Sequence, residues 1–315
     1  MKFPAQFDSL EQIALPARPL HLAIGIFDGV HLGHRAVIGA AVAAARKDGG
    51  HSGVLTFWPH PSTLFRPDAP TRLLHSAAVK TKVLLGFGVE LVITQPFTRE
   101  LAGLEANEFL PWLQARLPSL AAIYVGENFR FGRGRAGDVA LLKRCGSERG
   151  VTVWSADRVS LGGEPVSSTR VRRELEAGAI ESVNALLGQP YFADGVVTPG
   201  KQLGRTIGFP TLNVPWAPEF RPRLGVYAVE VFNGTHPRPL PAVANYGLRP
   251  TVEQASEPRL EVHLLGDCPF QAGDHVTVEW LHFLRAEMKF AGIGELRAQI
   301  ARDRDSARTY FTARK

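Results

Sequence analysis

Apolar and polar residues follow two different patterns in the two halves of this chain. In the first half, short apolar runs are followed by longer stretches in which apolar residues recur with helical spacing. Such alternation of strands and helices predicts a parallel sheet with helices on both faces. The predicted strands cover residues 20–26, 52–57, 89–94, 121–125 and 151–156, and the predicted helices cover 35–46, 77–87, 106–117, 138–149 and 171–177.

Beyond residue 188 the pattern changes to short, often alternating apolar segments separated by glycine and proline clusters. These segments predict an antiparallel barrel or sandwich. Its predicted strands cover residues 226–232, 242–245, 259–265 and 275–281, and a charged amphipathic helix is predicted at 294–310. The change of pattern near Leu187 predicts two domains, 1–187 and 188–315.

Composition adds a few constraints. The 315 residues are enough for two domains with their own cores. The net charge of +6 is compatible with anionic ligands, but it does not indicate which kind of anion binds. Cys145 and Cys268 are far apart and form no metal or disulfide pattern, and we find neither a signal sequence nor a membrane-spanning apolar run. We therefore expect a cytoplasmic protein.

The turn GIFDGVHLGH, residues 25–34, connects the first predicted strand to the first predicted helix. Ligands bind at the carboxyl ends of strands in open α/β sheets, and helix N-termini favour anions. Gly29 and Gly33 permit close backbone approach, and His31 and His34 would share one face of the helix. Each imidazole can donate a hydrogen bond, and we expect each to gain charge readily near neutral pH.

Two simpler interpretations of these histidines remain. A histidine near a helix start is usually a surface residue, and an HxxH pair could be half of a metal site. Zinc requires further ligands at matching spacing, and the sequence shows none. Phosphate binding by His31 and His34 is therefore the favoured interpretation.

The segment PVSSTR, residues 165–170, is a second candidate for phosphate binding. Its hydroxyl groups precede a predicted helix, so Ser167 or Ser168 could simply be an N-cap, with Glu174 completing a capping arrangement. Arginines 170, 172 and 173 in the first turns oppose the usual preference for acidic residues there. A bound anion would resolve this conflict.

The glycine-rich, basic segment at residues 200–213 lacks the ending of a P-loop. A flexible hairpin is the simpler interpretation, although backbone N–H groups in such a loop can also cradle phosphate. Thr211 and Asn213 would point to one side of an extended segment. There they could offer oxygen ligands to Mg²⁺, with nucleotide phosphates completing the coordination.

These segments closely resemble the bacterial bifunctional riboflavin kinase/FAD synthetase family. The first half carries GIFDGVHLGH, TFWPHP, VGENFRFGRGRAGD and VSSTRVRREL, and the second carries LGRTIGFPTLN, ANYGLRPTV, LEVHLL and FLRAEMKF. The resemblance implies a Rossmann-like nucleotidyltransferase domain that converts FMN and ATP to FAD and pyrophosphate. It also implies a six-stranded β-barrel kinase domain that phosphorylates riboflavin with ATP. Both reactions would require Mg²⁺.

The resemblance also assigns roles to individual residues. His31 and His34 would stabilise the departing pyrophosphate, and Glu261 would act as the base facing the riboflavin hydroxyl, although a lone strand glutamate is usually a surface carboxylate. Thr211 and Asn213 would hold Mg²⁺. Flavin binding is assigned to Phe57, Pro59 and Arg285. Nucleotide or phosphate binding is assigned to Gly25, Phe27, Asp28, Gly29, Gly33, Asn128, Ser167, Ser168, Thr169, Arg170, Gly200, Lys201, Gly204, Thr206 and Gly208.

The chain departs from the family pattern at two positions. Trp58 stands where an acidic residue is common, so an acidic role there is unsupported. Leu212 replaces a usual alanine in PTxN, and we expect it to point away from the metal side.

Two alternative functions stay open from the sequence. One is a pure adenylyltransferase whose barrel only binds flavin, although Thr211, Asn213 and Glu261 argue against it. The other is a nucleic-acid-binding protein, suggested by the basic and aromatic residues of the segment 129–135. We expect riboflavin, FMN and ATP as partners, without nucleic acid or membrane, and leave a weak homo-oligomer open.

Overall fold

The computed structural model describes residues 4–13, 17–200, 208–236, 238–248 and 257–314. The chain divides into two compact units, Met1–Ser168 and Thr169–Lys315, and each is described by itself. This division precedes the boundary predicted near Leu187. That boundary coincides with the end of a helix and stays a prediction.

The first unit alternates strands and helices. Its strands are β1 (Ala5–Phe7), β2 (Leu20–Ile24), β3 (His51–Trp58), β4 (Leu91–Pro96), β5 (Leu120–Gly126), β6 (Thr152–Ala156) and a small hairpin of β7 (Ser160–Leu161) and β8 (Glu164–Pro165). Its helices are α1 (Leu32–Asp48), α2 (Pro61–Phe65), α3 (Ala77–Gly86), α4 (Arg99–Gly103), α5 (Phe109–Arg116) and α6 (Val139–Arg149). Short 3-10 turns cover Leu10–Gln12, Ala106–Glu108 and Arg133–Arg135.

The six main strands form one parallel sheet in the order β1-β4-β3-β2-β5-β6. The predicted parallel α/β sheet is therefore confirmed. Strand β2 is central, because the chain leaves it toward β3 and β4 and later returns to its other side through β5. Ligands bind at such a switch of direction, outside the carboxyl ends of the strands. The topology thus directs attention to the loops that follow Ile24 and Gly126.

Apolar residues of β2 and its neighbours form the core of this unit. Leu20, Leu22 and Ile24 are almost wholly buried and pack with Leu110 and Leu113 of α5 on one face of the sheet. Helix α1 packs against β2, β3 and β5 on the other face. This helix starts at Leu32, earlier than predicted, because His31 acts as its N-cap.

The second unit contains α7, whose first residue Ser168 closes the first unit, and a curled antiparallel sheet. Its elements are α7 (Ser168–Ala177), α8 (Ile180–Leu187), β9 (Tyr191–Val196), β10 (Leu212–Val214), β11 (Gly225–Phe232), β12 (Leu240–Gly247), β13 (Arg259–Leu264), β14 (His275–Ala286) and α9 (Ile293–Ala313). The strand order is β10-β13-β12-β11-β14-β9. The two edges approach each other, since the Thr198 N–H donates to the Asn213 carbonyl at 2.9 Å. The barrel prediction is confirmed, although β9, β10 and α8 were not predicted.

Large aromatic residues fill the concave side of this sheet. Tyr191, Tyr227, Tyr246 and Trp280 are fully buried, and the rings of Tyr227 and Trp280 lie 4.5 Å apart. The outer face is partly covered by α9, which packs onto β11 and β12. The residues of the outer face that α9 does not cover are therefore available to a ligand.

Candidate active sites

The turn after β2 has an unusual backbone. Phe27 and Val30 have positive φ angles of 52° and 44°, next to Gly29 at 81°. Such angles are rare for residues other than glycine, and exceptional for a β-branched valine. They cost of order 1–3 kcal/mol each and cluster at functional sites, so the surrounding structure must hold this turn in place. Phe27 and Val30 are both buried, as this requires.

His31 and His34 stack at the N-terminus of α1. Their ring centroids are 3.6 Å apart with an interplanar angle of 16°, which confirms that they share one face. Phe27 contacts His34 edge-on at 5.3 Å. A side chain at Gly33 would place its Cβ 3.2 Å from the His31 ring, so glycine here lets that ring lie against the helix start.

Both imidazoles are neutral in the free protein. Burial lowers the pKa of His31 to about 4. Burial also lowers the pKa of His34, and repulsion from a protonated His31 and from Lys80 lowers it further. The expectation that these histidines gain charge readily near neutral pH is therefore wrong for the unliganded chain, because the turn excludes the water that would solvate an imidazolium.

The hydrogen bonds of the pair indicate where a ligand would attach. The His31 Nδ1 atom accepts the backbone N–H of His34 at 3.4 Å, which places the proton of the neutral ring on Nε2. Within the described parts of the chain, the buried Nδ1 atom of His34 has no hydrogen-bond partner. Buried polar atoms are normally paired, so this nitrogen points to a missing ligand or water.

Asp28 and Ser168 join the two segments that the sequence singled out. Asp28 is 5% exposed, and its Oδ1 accepts the backbone N–H of Leu74 at 2.9 Å. The Ser168 hydroxyl donates to the Asp28 carbonyl oxygen at 2.8 Å. We call the group His31, His34, Asp28 and Ser168 the turn site.

The remaining residues of the SSTR motif follow directly in the chain. Thr169 and Arg170 lie in the first turn of α7, and Ser167 immediately precedes this helix. Glu174, predicted to complete a cap, accepts a hydrogen bond from the neighbouring Arg173 at 2.8 Å. The predicted phosphate contacts of Ser167, Ser168, Thr169 and Arg170 stay predictions.

Asn128 follows β5, the strand next to β2. The residue is exposed, and its Nδ2 donates to Glu127 at 3.2 Å. Because β2 and β5 are parallel neighbours, their carboxyl ends lie at one edge of the sheet. The topology therefore brings Asn128 to the same edge as the turn site.

An aromatic surface lies at the end of β3, at this same edge. Phe57 contacts Phe97 edge-on at 6.0 Å, and Phe97 contacts Phe65 at 6.1 Å. Phe65 is 64% exposed, which is unusual for so large an apolar side chain. Pro59 and the half-exposed Trp58 follow directly. The sequence suggested Phe57 and Pro59, whereas the grouping with Phe65 and Phe97 is seen only in the fold.

Sequence reasoning missed a buried polar cluster behind the turn. Lys80 of α3 is 4% exposed, and its Nζ donates to the Ile26 carbonyl at 3.1 Å and to the Thr56 hydroxyl at 3.0 Å. His75 is also buried nearby, and burial together with the charge of Lys80 lowers its pKa to about 4. In the sequence, Lys80 lies in an ordinary helical pattern, so only its burial reveals it.

The basic and aromatic segment at residues 129–135 is engaged within its own unit. Phe131 is 6% exposed and packs on Phe109 at 5.0 Å. Arg130 pairs with Asp138 at 3.4 Å, and Arg133 pairs with Glu105 at 2.5 Å. Packing and ion pairing within the unit therefore account for these aromatic and basic residues.

In the second unit, strand pairing aligns several polar residues. Asn213 of β10 is directly opposite Glu261 of β13, which is directly opposite Asn245 of β12. The row continues through Val226 of β11 to Arg285 of β14. Directly opposed residues face the same side of a sheet, and five strands span about 19 Å. Asn245 was missed, because only the register reveals its position.

Thr211 and Asn213 flank a buried leucine. Leu212 is 8% exposed, whereas Thr211 is exposed and Asn213 is half-buried, so Leu212 points away from the side of its neighbours as predicted. A Cβ atom at Gly200 would lie 2.1 Å from Asn213 Nδ2, so glycine there makes room for the amide. We call Thr211, Asn213, Glu261 and Asn245 the barrel site.

The predicted glycine-rich loop is only partly described. Lys201, Gly204 and Thr206 lie outside the described residues. Gly208, where the description resumes, has a φ of 86° that favours glycine. The predicted nucleotide contacts of this loop stay predictions.

Arg285 is fixed at the far end of the polar row. Its Nε and Nη2 atoms donate to the two carboxylate oxygens of Asp303 at 2.8 and 2.7 Å. Asp303 belongs to α9, is 5% exposed, and also accepts from Gln299 at 2.8 Å. The guanidinium thus ties β14 to α9, and its predicted flavin contact stays a prediction.

No group of three or more histidine, cysteine, aspartate or glutamate side chains in the described ranges could hold a metal ion. In the same ranges, no helix is both long and apolar enough to cross a membrane.

Comparisons with known proteins relate each half of the chain to a known family. Residues 15–170 match the family model of FAD synthetase, and residues 187–311 match that of riboflavin kinase. The bifunctional riboflavin kinase/FMN adenylyltransferase of Escherichia coli K12 is 43% identical over 92% of each chain. The protein of the same description from Bacillus subtilis is 35% identical over 92% of each chain.

A solved structure covers almost the same length. It is described as a macrolide-efflux protein from Streptococcus pneumoniae, and it superposes with a TM-score of 0.85 at 28% identity, over 96% of this chain and 98% of that one. The two family models together span most of the sequence, in the order that the two fold units require. The chain belongs to the bifunctional riboflavin kinase/FMN adenylyltransferase family.

Proposed function

We propose that the two activities of this enzyme reside in separate sites, with adenylyl transfer at the turn site and riboflavin phosphorylation at the barrel site. The observation that carries the assignment is the separation of the two polar groups. The stacked pair His31 and His34 lies at the N-terminus of α1 in one unit, and the Asn213–Glu261–Asn245 row lies on an antiparallel sheet in the other.

At the turn site, a phosphate oxygen of FMN attacks the α-phosphorus of ATP. A new P–O bond forms while the bond from the α-phosphorus to the bridging oxygen breaks, so FAD and pyrophosphate result. No protein nucleophile is needed, and catalysis consists of positioning and stabilisation of charge on the leaving group. The Nε2–H donor of His31 and the ring of His34 suit this role, together with the N-terminus of α1.

The binding of a triphosphate should change the protonation of the two neutral imidazoles. A nearby anion favours the imidazolium form and raises the pKa of each ring. Binding of ATP therefore draws protons onto His31 and His34, which then donate charge-assisted hydrogen bonds. Ser167 and Ser168, which belong to the same unit, would add hydroxyl donors to the phosphates.

The aromatic surface near Phe57 and Pro59 accounts for flavin binding in the first unit. An isoalloxazine ring is flat and apolar on its faces, and aromatic side chains bind such rings by stacking or edge contacts. The exposed Phe65 offers such a contact at the edge where the turn site lies. Trp58, which is 39% exposed, adds a further apolar surface.

At the barrel site, the terminal hydroxyl of riboflavin attacks the γ-phosphorus of ATP. Glu261 accepts the hydroxyl proton as the P–O bond forms, and ADP leaves. Glu261 lies directly opposite both Asn213 and Asn245 in the sheet, and this polar surrounding supports its assignment as the base. Arg285 faces the flavin at the other end of the row.

Mg²⁺ fits the oxygen donors of the barrel site. Thr211 and Asn213 supply neutral oxygens beside the Glu261 carboxylate, and Gly200 leaves room for the Asn213 amide. Such a donor set is incomplete for Mg²⁺ without the phosphates of a nucleotide. Thr211 and Asn213 would hold the ion, and when bound it neutralises phosphate charge.

One incubation tests the proposal. The protein is mixed with riboflavin, ATP and Mg²⁺, and the flavins are separated by chromatography over time. FMN is expected first and FAD later, and neither in excess chelator. FAD formed only from added FMN would remove the kinase assignment, and the absence of both products would remove the proposal.

A further inference from the structure

A lysine ammonium lies buried directly behind the turn site. Lys80 is 4% exposed and extends from α3 toward the turn that follows β2. The two oxygens that accept its hydrogen bonds, the Ile26 carbonyl and the Thr56 hydroxyl, belong to the turn and to β3. Thr56 also donates to Ile26 at 3.0 Å. Three elements of the fold therefore meet at this ammonium.

The Ile26 carbonyl occupies a sensitive position in the chain. It precedes Phe27, the first of the residues with positive φ, and Phe27 in turn contacts His34. A shift of this peptide would move the aromatic support of the histidine pair. The hydrogen bond from Lys80 thus acts at the start of the strained turn.

A charge in this place is costly for stability. Transfer of an ammonium from water to the interior is unfavourable, and an apolar residue of similar volume usually fits a core as well or better. Burial lowers the pKa of Lys80 to about 8, and the carboxylate of Asp28 opposes this shift. The group is therefore mostly charged at neutral pH, and its field reaches His34 and His75.

We propose that Lys80 is a positioning residue for adenylyl transfer, which fixes the turn through the Ile26 carbonyl and supplies a buried positive charge behind the departing pyrophosphate. This inference rests on the proposed function of the turn site. It adds a residue that acts through the turn and through its field, without contact to the substrate. Its chemistry is that of a fixed cation acting on an anionic leaving group.

The role of Lys80 is tested in the full chain by measuring both FAD formation and riboflavin phosphorylation. Lys80→Met removes the charge and the donors but keeps a similar length. The kcat for FAD formation from FMN and ATP is expected to fall about 100-fold, with a smaller change in the KM for ATP. The rate of riboflavin phosphorylation in the same preparation should stay unchanged. Lys82→Met provides the matched control, because Lys82 is exposed on the same helix.

The pH profile separates an electrostatic role from a merely structural one. The charged groups near Lys80 are Asp28 from the turn, His34 from α1 and His75 from the loop before α3. Loss of the Lys80 proton should lower the kcat for FAD formation in the alkaline range. In Lys80→Arg, which stays charged, this alkaline decline should disappear while activity is partly retained.

Each result decides the inference. Lys80→Met with a kcat within threefold of the natural chain would overturn it, while FAD formation would still support the proposed function. If Lys80→Met does not fold, the pH profile of Lys80→Arg decides instead. The inference would be overturned if the kcat for FAD formation declined at alkaline pH identically in Lys80→Arg and in the natural chain. If the natural chain forms no FAD, the proposed function itself fails.

Discussion

The two proposed nucleotide sites differ in how their polar groups are arranged. In the first, the polar groups are enclosed where a parallel sheet meets a helix N-terminus, and burial changes the ionisation of His31, His34 and Lys80. In the second, Asn213, Glu261 and Asn245 lie in register on one side of an antiparallel sheet. The first site depends on electrostatics inside a strained turn, and the second depends on strand register.

Under the proposed function, this difference suits the chemistry of each step. Adenylyl transfer requires stabilisation of a leaving pyrophosphate, and buried donors are most effective for that purpose. Phosphorylation of riboflavin requires a base within reach of a hydroxyl, and a strand carboxylate can meet a substrate that lies across the sheet. Substitutions in one unit should therefore leave the other activity intact.

The largest expected effect is on the first site. His31→Ala combined with His34→Ala removes both imidazole donors, and loss of one such donor typically costs about 100- to 1,000-fold in rate. FAD formation from FMN should fall at least 1,000-fold, measured by chromatography of the flavins. Riboflavin phosphorylation should continue, so FMN accumulates. A parallel loss of kinase activity in a folded variant would contradict the separation.

A slightly smaller effect is expected at the second site. Glu261→Gln keeps the shape of the side chain but cannot accept the hydroxyl proton, and general bases contribute about 100- to 10,000-fold. FMN formation should fall about 100-fold or more, whereas added FMN should still be converted to FAD at the natural rate. Asn245→Ala serves as a comparison, because it removes a neighbouring polar group without removing the base. Equal losses in Glu261→Gln and Asn245→Ala would argue against a special role for the carboxylate.

The sequence anticipated much of the fold and the chemically distinctive motifs. Apolar periodicity located the main strands, and His31, His34 and Ser168 were found because glycines and hydroxyls at strand and helix ends are conspicuous. Lys80 and Asn245 were not found, because their roles depend on burial and on register, which arise only when distant segments pack. The neutral state of the histidines was missed for the same reason, since desolvation is a property of the folded turn.

The pair Arg285 and Asp303 allows a test of stability. Removal of one partner from a buried ion pair leaves an uncompensated charge and typically costs about 3–5 kcal/mol. Asp303→Ala should lower the free energy of unfolding of the second unit by about 3 kcal/mol, measured by denaturant titration. Arg304→Ala on the same helix, whose pairing with Asp305 is more exposed, should cost less than about 1 kcal/mol. Similar losses in the two variants would show that the Arg285 contact is not a buried pair in solution.

A further effect concerns the acid stability of the first unit. The pKa of His31 and that of His75 are both lowered to about 4 in the fold, so between pH 4 and 6.5 the unfolded chain binds protons that the folded chain does not. The contribution of these two rings to stability should therefore fall as the pH is lowered through this window and level off below it. Each histidine contributes up to about 3 kcal/mol. Urea titrations at several pH values measure how the free energy of unfolding depends on pH. His75→Gln should reduce this dependence. The contribution of the two rings would be absent if they were solvated in the folded chain.

Mixing the two site variants tests the central claim most directly. The double variant His31→Ala, His34→Ala and the variant Glu261→Gln are each incubated alone with riboflavin, ATP and Mg²⁺, and then together. Alone, the first should stop at FMN and the second should form little of either product. Together they should form FAD, because FMN released by one chain reaches the intact turn site of the other. A mixture that forms no FAD, although each variant retains its own single activity, would contradict the account of two separate sites.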